Sequence, residues 1–286
     1  MAAGHSVDSG RWQEMFDELM GRLACSFKRV EPRRRLRALV RGLLAELPRK
    51  NCWTLAEHAG DISPAGMQHL LSRASWDADQ VRDDLRTYVT ERLGGAGAVL
   101  VVDETGDLKK GTGTVGVQRQ YTGTAGRIEN SQVAVLLAYA DDAGHAFIDR
   151  ELYLPASWTT DPDRCAKVGV PANRMFATKP ELARQMLIRA LDAGTSAPWV
   201  AGDEVYGRSP ELRGELETRG VGYVLAVAAS HRVSFGPASC RADQVAAQLP
   251  ASAWQRISAG RARKASAGMT GRSPRSTSAS PATGLC

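Results

Sequence analysis

Long apolar runs are missing from this chain of 286 residues. No stretch approaches the roughly 18 unbroken apolar residues of a membrane span, so no membrane role is expected. The start, Met1-Ala-Ala-Gly-His-Ser-Val-Asp8, lacks a basic segment followed by an apolar one, which argues against secretion. Cysteine is scarce and scattered (Cys25, Cys52, Cys165, Cys240, Cys286), with no C-x-x-C or metal-ligand spacing. That usage favours a reducing compartment, the cytoplasm. The five histidines are equally dispersed, which disfavours a zinc enzyme. What is present is globular: 43% hydrophobic residues, enough for one or two cored domains.

The formal net charge of +6 points weakly to a polyanionic partner. Its distribution says more. Lys28, Arg29, Arg33, Arg34, Arg35, Arg37 and Arg41 crowd one segment, and the stretch after Ser258 carries arginine and lysine but no acid. The first cluster is either a phosphate-binding surface or an ordinary solvated helix face.

Three regions follow from the patterning. Residues 1–95 read as all-helical. Trp12, Phe16, Leu19 and Leu23 keep helical spacing, and a second stripe runs from Leu36 to Leu47 between Pro32 and Pro48. Two short helices, Trp53–Ala59 and one capped by Ser63-Pro64, flank the turn at Gly60 and are compatible with a helix-turn-helix. In that reading Gln68, His69, Ser72 and Arg73 face DNA; plain helical packing is the alternative. Residues 96–257 change character. Apolar strands are expected at 98–103, 132–140, 146–154, 198–203 and 222–228, with a hairpin turn at Asp141–Gly144 and a helix over 180–193. This order of strands, then alternating helices and strands, is α/β with a mixed sheet, the order of the ribonuclease H-like fold. Residues 258–286 show no periodicity and are expected to be disordered.

Asp103 and Asp203 each end an expected strand. Such ends line the functional crevice of an α/β sheet, and on neighbouring strands the two carboxylates would converge. Paired carboxylates are hard oxygen ligands suited to Mg²⁺ or Mn²⁺ and to phosphodiester displacement. The competing reading is an Asp that merely caps the next turn.

The segments Val101-Val-Asp-Glu-Thr-Gly-Asp107, Gln120-Tyr-Thr-Gly123, Trp158 and Ala201-Gly-Asp-Glu-Val-Tyr-Gly207 resemble DDE-type transposases of bacterial insertion sequences, over about residues 11–260. The resemblance implies an N-terminal all-helical domain followed by a ribonuclease H-like core. It implies two Mg²⁺ (or Mn²⁺) ions, with Asp103 and Asp203 as catalytic and metal-binding residues. It implies double-stranded DNA as partner, cleavage and strand transfer at inverted repeats of transposon ends, and association with the nucleoid. It leaves room for a homodimer in the synaptic complex. Arg33, Arg34, Arg35, Gln68, Arg73, Lys109 and Lys110 are the expected DNA contacts.

One feature departs from the family. Its third acid, a Glu downstream of the fifth strand, has no counterpart: after Val227 the chain holds only Asp243. The core is therefore expected to be incomplete and its activity impaired. Out-of-frame translation of GC-rich DNA would give the composition after Arg261. Gly268-Met-Thr-Gly271 is encoded GGN-ATG-ACN-GGN, and the shifted frame NAT-GAC-NGG can read Tyr-Asp-Trp. The family carries that segment soon after a Ser-Ala-Gly stretch like Ser258–Gly260, so a frameshifted, truncated tail is the expectation.

Other motifs are weaker. Gly111-Thr-Gly-Thr-Val-Gly116 fits a dinucleotide fingerprint in letters only, since no strand leads directly into it and no helix pattern follows. With Lys109, Lys110, Arg119 and Arg127 it reads as a flexible phosphate-contacting loop or a solvated one. Trp158, Trp199, Trp254 and Tyr206 are expected as core or site walls. The alternatives are a DNA-binding remnant without chemistry, and an unrelated Mg²⁺-dependent nuclease or phosphatase.

Overall fold

The structure, a computed structural model, describes residues 8–235, 238–256 and 272–274. The chain divides into two compact units, Met1–Tyr88 and Val89–Cys286.

The first unit is helical. It holds α1 (Ser9–Leu23), α2 (Val30–Leu44), α3 (Cys52–His58), α4 (Ala65–Ser72) and most of α5 (Ala78–Leu93). Caps set the starts: the Asp8 carboxylate accepts from the amides of Gly10 and Arg11, and Asn51 and Thr54 form a reciprocal capping box on α3. Phe16, Met20 and Leu23 are buried, with Leu36, Val40, Val81 and Leu85 packed against them. Two expectations need correction. The second stripe stops at Leu44, because the backbone turns extended at Ala45, and Leu47 lies outside the helix. Pro64, not Ser63, occupies the cap position of α4, and no side chain caps that helix.

The second unit is built on a mixed sheet. Its strands are β1 (Val99–Leu108), β2 (Gln118–Thr122), β3 (Arg127–Asp141), β4 (Gly144–Leu152), β5 (Trp199–Gly202) and β6 (Gly222–Leu225). β3 is antiparallel to β1 along one edge and pairs with β2 and β4 along the other, while β5 and β6 run parallel to β1. The order β4-β3-β1-β5-β6, with three antiparallel strands followed by two parallel ones, is the ribonuclease H-like arrangement expected from the sequence. Between strands lie α6 (Ala156–Thr159), α7 (Pro162–Lys167), α8 (Lys179–Asp192), α9 (Glu204–Gly207) and α10 (Pro210–Thr218). α8 and α10 bury Leu182, Met186, Leu187, Leu212 and Leu216 in one core with Leu100, Val102, Val135, Leu137 and Val200.

The structure extends the expected elements. The segment after Asp103 is not a loop, because β1 continues to Leu108 against β3. Residues 118–122 and 127–131, too polar to read as apolar strands, form a hairpin with Tyr121 opposite Ile128. A second, unexpected hairpin joins β7 (Arg232–Phe235) to β8 (Ala238–Arg241), ahead of α11 (Ala242–Gln248). Of the C-terminal segment, Arg272–Pro274 (β10) pairs antiparallel with Trp254–Arg256 (β9). The rest of the expected disordered, out-of-frame tail lies outside the described residues. No helix among those described is long and apolar enough to cross a membrane.

Two motif glycines have steric reasons. A Cβ on Gly106 would sit 1.9 Å from the Thr122 hydroxyl oxygen, and one on Gly207 would sit 2.0 Å from the Ala226 carbonyl oxygen. Both positions bring backbone so close to a neighbour that no side chain fits.

Candidate active site

The parallel ladder between β1 and β5 ends at Val102 opposite Gly202. Asp103 is the next residue of β1, and Asp203, still extended, directly follows β5. Neighbouring strands lie about 4.7–4.9 Å apart, and register partners share a face. The two carboxylates therefore emerge side by side from one face. Asp103 is not at the end of its strand, as the sequence reading had it. It sits at the point where β1 loses β5 as a partner but keeps β3.

The capping reading of Asp203 is met, and its carboxylate is still exposed. It caps α9, its Oδ1 accepting from the Val205 amide at 2.8 Å, and it remains exposed beside Asp103. The Asp103 Oδ1 accepts from the Glu104 amide at 2.7 Å. Partial desolvation lifts the Asp103 carboxyl above the ordinary aspartate range, opposed by that amide and reinforced by the negative charges of Asp203 and Glu104. Like charges held this close favour an added cation.

The next residue faces the other way. Leu100, Val102 and Glu104 share the inner face of β1, where Leu100 and Val102 are fully buried. Both oxygens of Glu104 are engaged: Oε2 accepts from the Tyr206 hydroxyl at 2.7 Å and Oε1 from the Lys179 ammonium at 2.7 Å. Tyr206 has no exposed surface, and burial foremost, then the bond to Glu104, raises its hydroxyl pKa far above the ordinary tyrosine value. Sequence reasoning missed the roles of Glu104 and Lys179 and placed Tyr206 only as a wall. The sequence carried no signal for this: both phases of Ala98-Val-Leu-Val-Val102 are apolar, so the strand does not show that Glu104 falls in the buried one, where a carboxylate requires partners.

Lys109 pairs with Asp107, and Lys110 is exposed. The loop they open was expected to be flexible, but it is tied down. The Asn130 side-chain amide donates to the carbonyls of Lys109 and Gly111, Gln132 to that of Val115, and Arg164 to that of Thr112. Beneath it Trp158 is fully buried, its indole N–H bonded to the Val117 carbonyl at 2.9 Å and its ring 3.6 Å from the Arg164 guanidinium carbon.

In the helical unit, the candidate DNA contacts divide. Arg34, Gln68, His69, Ser72 and Arg73 are exposed, while Met67 and Leu70 of α4 are buried. Arg33 is exposed but donates to the Phe27 carbonyl at 2.8 Å. The Arg35 guanidinium lies over Gly66, and Arg37 pairs with Asp17. The basic cluster is thus partly structural.

These features sit within a known family. The DDE superfamily endonuclease family matches residues 22–270, and the chain belongs to it. A curated relative, "Probable transposase for insertion sequence element IS701" from Microchaete diplosiphon, is 29% identical over 198 residues, 68% of this chain and 49% of the relative. The chain spans about half the length of the curated relative it matches.

Enzymes of this superfamily use divalent metal ions. The donor chemistry of the pair fits such an ion: two exposed carboxylates on one face are hard ligands that leave room for water and phosphate oxygens. Among the described residues, no group of three or more His, Cys, Asp or Glu side chains could hold a metal.

Proposed function

We propose that this chain acts in DNA transposition, as a divalent-cation-dependent phosphodiesterase and strand transferase at the ends of an insertion element. The observation that carries the reading is the register of β1 and β5, which puts Asp103 and Asp203 abreast just past Val102 and Gly202. Family membership supports it.

In this reading Asp103 and Asp203 hold Mg²⁺ or Mn²⁺, which when bound polarises phosphate oxygens and activates the attacking oxygen. The residues themselves do the positioning. Sheet pairing fixes both carboxylate-bearing backbones, and the Glu104 and Val205 amides each orient one oxygen. Lys110 is exposed to meet DNA phosphates, and the tethered loop limits where it can reach. The helical unit supplies recognition, with the exposed face of α4 (Gln68, His69, Ser72, Arg73) at base edges and Arg34 on phosphate. With two carboxylates only, the cation is held weakly and cleavage is slow, because a loosened ion costs reactive geometry.

A cleavage assay tests this on duplexes carrying the element's ends, with Mg²⁺ or Mn²⁺. Slow nicking that disappears in Asp103→Asn, with duplex affinity unchanged, is expected. Nicking that survives both Asp103→Asn and Asp203→Asn would sink the reading. Binding without any nicking in the unaltered chain would instead favour the DNA-binding remnant. Recognition is tested apart from chemistry. Arg34→Gln should weaken binding to all sequences and lower the salt slope by about 0.9 per lost phosphate contact, with no change in sequence preference.

A further inference from the structure

Each Asp of the pair is followed closely by a residue that reaches into the protein: Glu104 directly after Asp103, and Tyr206 three residues after Asp203. Their side chains meet, Tyr206 Oη to Glu104 Oε2 at 2.7 Å. This is the side-chain bond that joins β1 to α9 beneath the carboxylates. Lys179, at the start of α8, holds the other Glu104 oxygen at 2.7 Å, so the carboxylate cannot rotate without losing one partner. Tyr206 is fully buried and the Glu104 side chain is 16% exposed, so water is a poor substitute for either partner.

We infer that Glu104 and Tyr206 are positioning residues: their bond clamps the segment carrying Asp103 to the segment carrying Asp203, and so sets the spacing of the pair and its affinity for a divalent cation. The inference rests on the reading of the pair as cation ligands. Glu104 is not itself the missing third acid. It leaves β1 on the face opposite Asp103, and both its oxygens are already bonded.

The parallel ladder ends at Val102–Gly202, so no strand pairing between β1 and β5 fixes what comes after. Past that point the Asp203 backbone already turns into α9. A bond from Tyr206, one helical turn along, back to Glu104 replaces the lost ladder where the spacing of two ligands matters. Gly207, which must be glycine for α9 to approach the Ala226 carbonyl, holds the other end of this short helix. Outer-shell partners of metal ligands act in this way, by orienting rather than by touching the ion.

Mn²⁺ binding to the full chain, read from loss of the free-ion electron paramagnetic resonance signal, tests the clamp. Tyr206→Phe removes one hydroxyl and keeps the ring. Glu104→Gln keeps the shape but leaves one acceptor oxygen for two donors, so with Lys179 on that oxygen the Tyr206 hydroxyl loses its acceptor. Tyr206→Phe is expected to weaken Mn²⁺ affinity about tenfold, the lower end of what losing an outer-shell partner costs. The double variant should lose no more than the worse single one, because both break the same bond. A merely structural bond would lower the thermal midpoint and leave the affinity of folded protein alone. If Tyr206→Phe does not fold, Glu104→Gln below its own midpoint carries the same comparison. Affinity within twofold of the unaltered chain in either folded variant overturns the clamp. No Mn²⁺ binding by the unaltered chain, or binding that survives the Asp103→Asn, Asp203→Asn double change, overturns the reading of the pair and the clamp with it.

Discussion

On the inner face of the main sheet, β1, β3, β5 and β6 present Leu100, Val102, Val135, Leu137, Tyr139, Val200 and Leu225, all buried. On the outer face the same strands present Asp103, Thr105 and Asp107, with Trp199 48% and Val224 44% exposed, and β4 adds Phe147 at 67%. Strand alternation alone separates the two. Both faces carry apolar side chains, but among the described residues the inner one is the more closed over; there Glu104 is bonded across elements to Tyr206 and Lys179, while the buried Ser131 and Thr122 hydroxyls have no partner. The outer face carries the carboxylate pair on a surface whose shape is fixed from behind. One step along the chain, from Asp103 to Glu104, passes from exposed chemistry to interior support.

The comparison predicts very different responses to substitution. Leu137 lies on the central strand β3 with no exposed surface. Leu137→Ala should cost about 4 kcal/mol, within the range for a buried leucine whose cavity does not collapse. Urea unfolding followed by circular dichroism measures it. A loss below about 1 kcal/mol would mean that the inner face is not the rigid side.

The next effect is electrostatic. A register shift in β4 brings Ile148 and Asp149 together into the interior, and the Asp149 side chain has no exposed surface. Arg189 of α8 bridges it, at 2.9 Å, to Glu151, at 3.0 Å. Arg189→Leu takes one guanidinium from the buried Asp149, which keeps the Arg150 amide at 2.8 Å and the Arg150 guanidinium at 3.9 Å. It should cost about 3 kcal/mol, the low end for breaking a buried pair because the charge keeps these partners and the arginine is itself part-exposed.

Acid should reach the same network more gently. Burial pushes the Glu151 carboxyl up, but hydrogen bonds from Arg174 and Arg189 pull it down further, so its pKa lies below the ordinary value of 4.5. A carboxylate with a folded pKa below its unfolded one stabilises the fold fully above the unfolded value. That stability fades as pH falls from about 4.5 through the lowered pKa. The thermal midpoint of the chain should exceed that of Glu151→Gln at pH 7, and the gap should close on acidification. A gap that widened would reverse the assigned sign.

The two faces were unequally legible in the sequence. Ala98-Val-Leu-Val-Val102 reads as an unbroken apolar run, because Val99 and Val101 on the outer face are as apolar as Leu100 on the inner one. The strand was found, but the alternation that tells Asp103 from Glu104 was hidden. The order of strands and the placing of Asp103 and Asp203 on neighbouring strands needed only the apolar segments and their sequence order. The β2–β3 hairpin did not announce itself, since Arg119, Tyr121 and Ile128 are exposed and its inward phase (Gln118, Gln120, Thr122, Ser131) is polar, so no apolar alternation marks it. The ties among Glu104, Lys179 and Tyr206 join residues 75 and 102 positions apart, which no local pattern encodes.

The smallest effect belongs to the outer face itself. Asp103 is exposed, bonded to its neighbour's amide and to no side chain that Asn would abandon. Its carboxyl is raised first by desolvation and then by Asp203 and Glu104, so the ionised form is less at ease in the fold than in the unfolded chain. An acid whose folded pKa lies above its unfolded one subtracts stability at neutral pH, and the loss is relieved as pH falls from the raised folded pKa to below the unfolded one. Asn keeps the size and an acceptor oxygen and removes the repulsion. Asp103→Asn should therefore change stability by no more than about 0.5 kcal/mol, with the sign toward stabilisation at pH 7, as expected where function rather than folding selects a residue. Measured beside Leu137→Ala in the same urea series, a loss above about 1 kcal/mol would put Asp103 among the structural residues and erase the distinction between the faces.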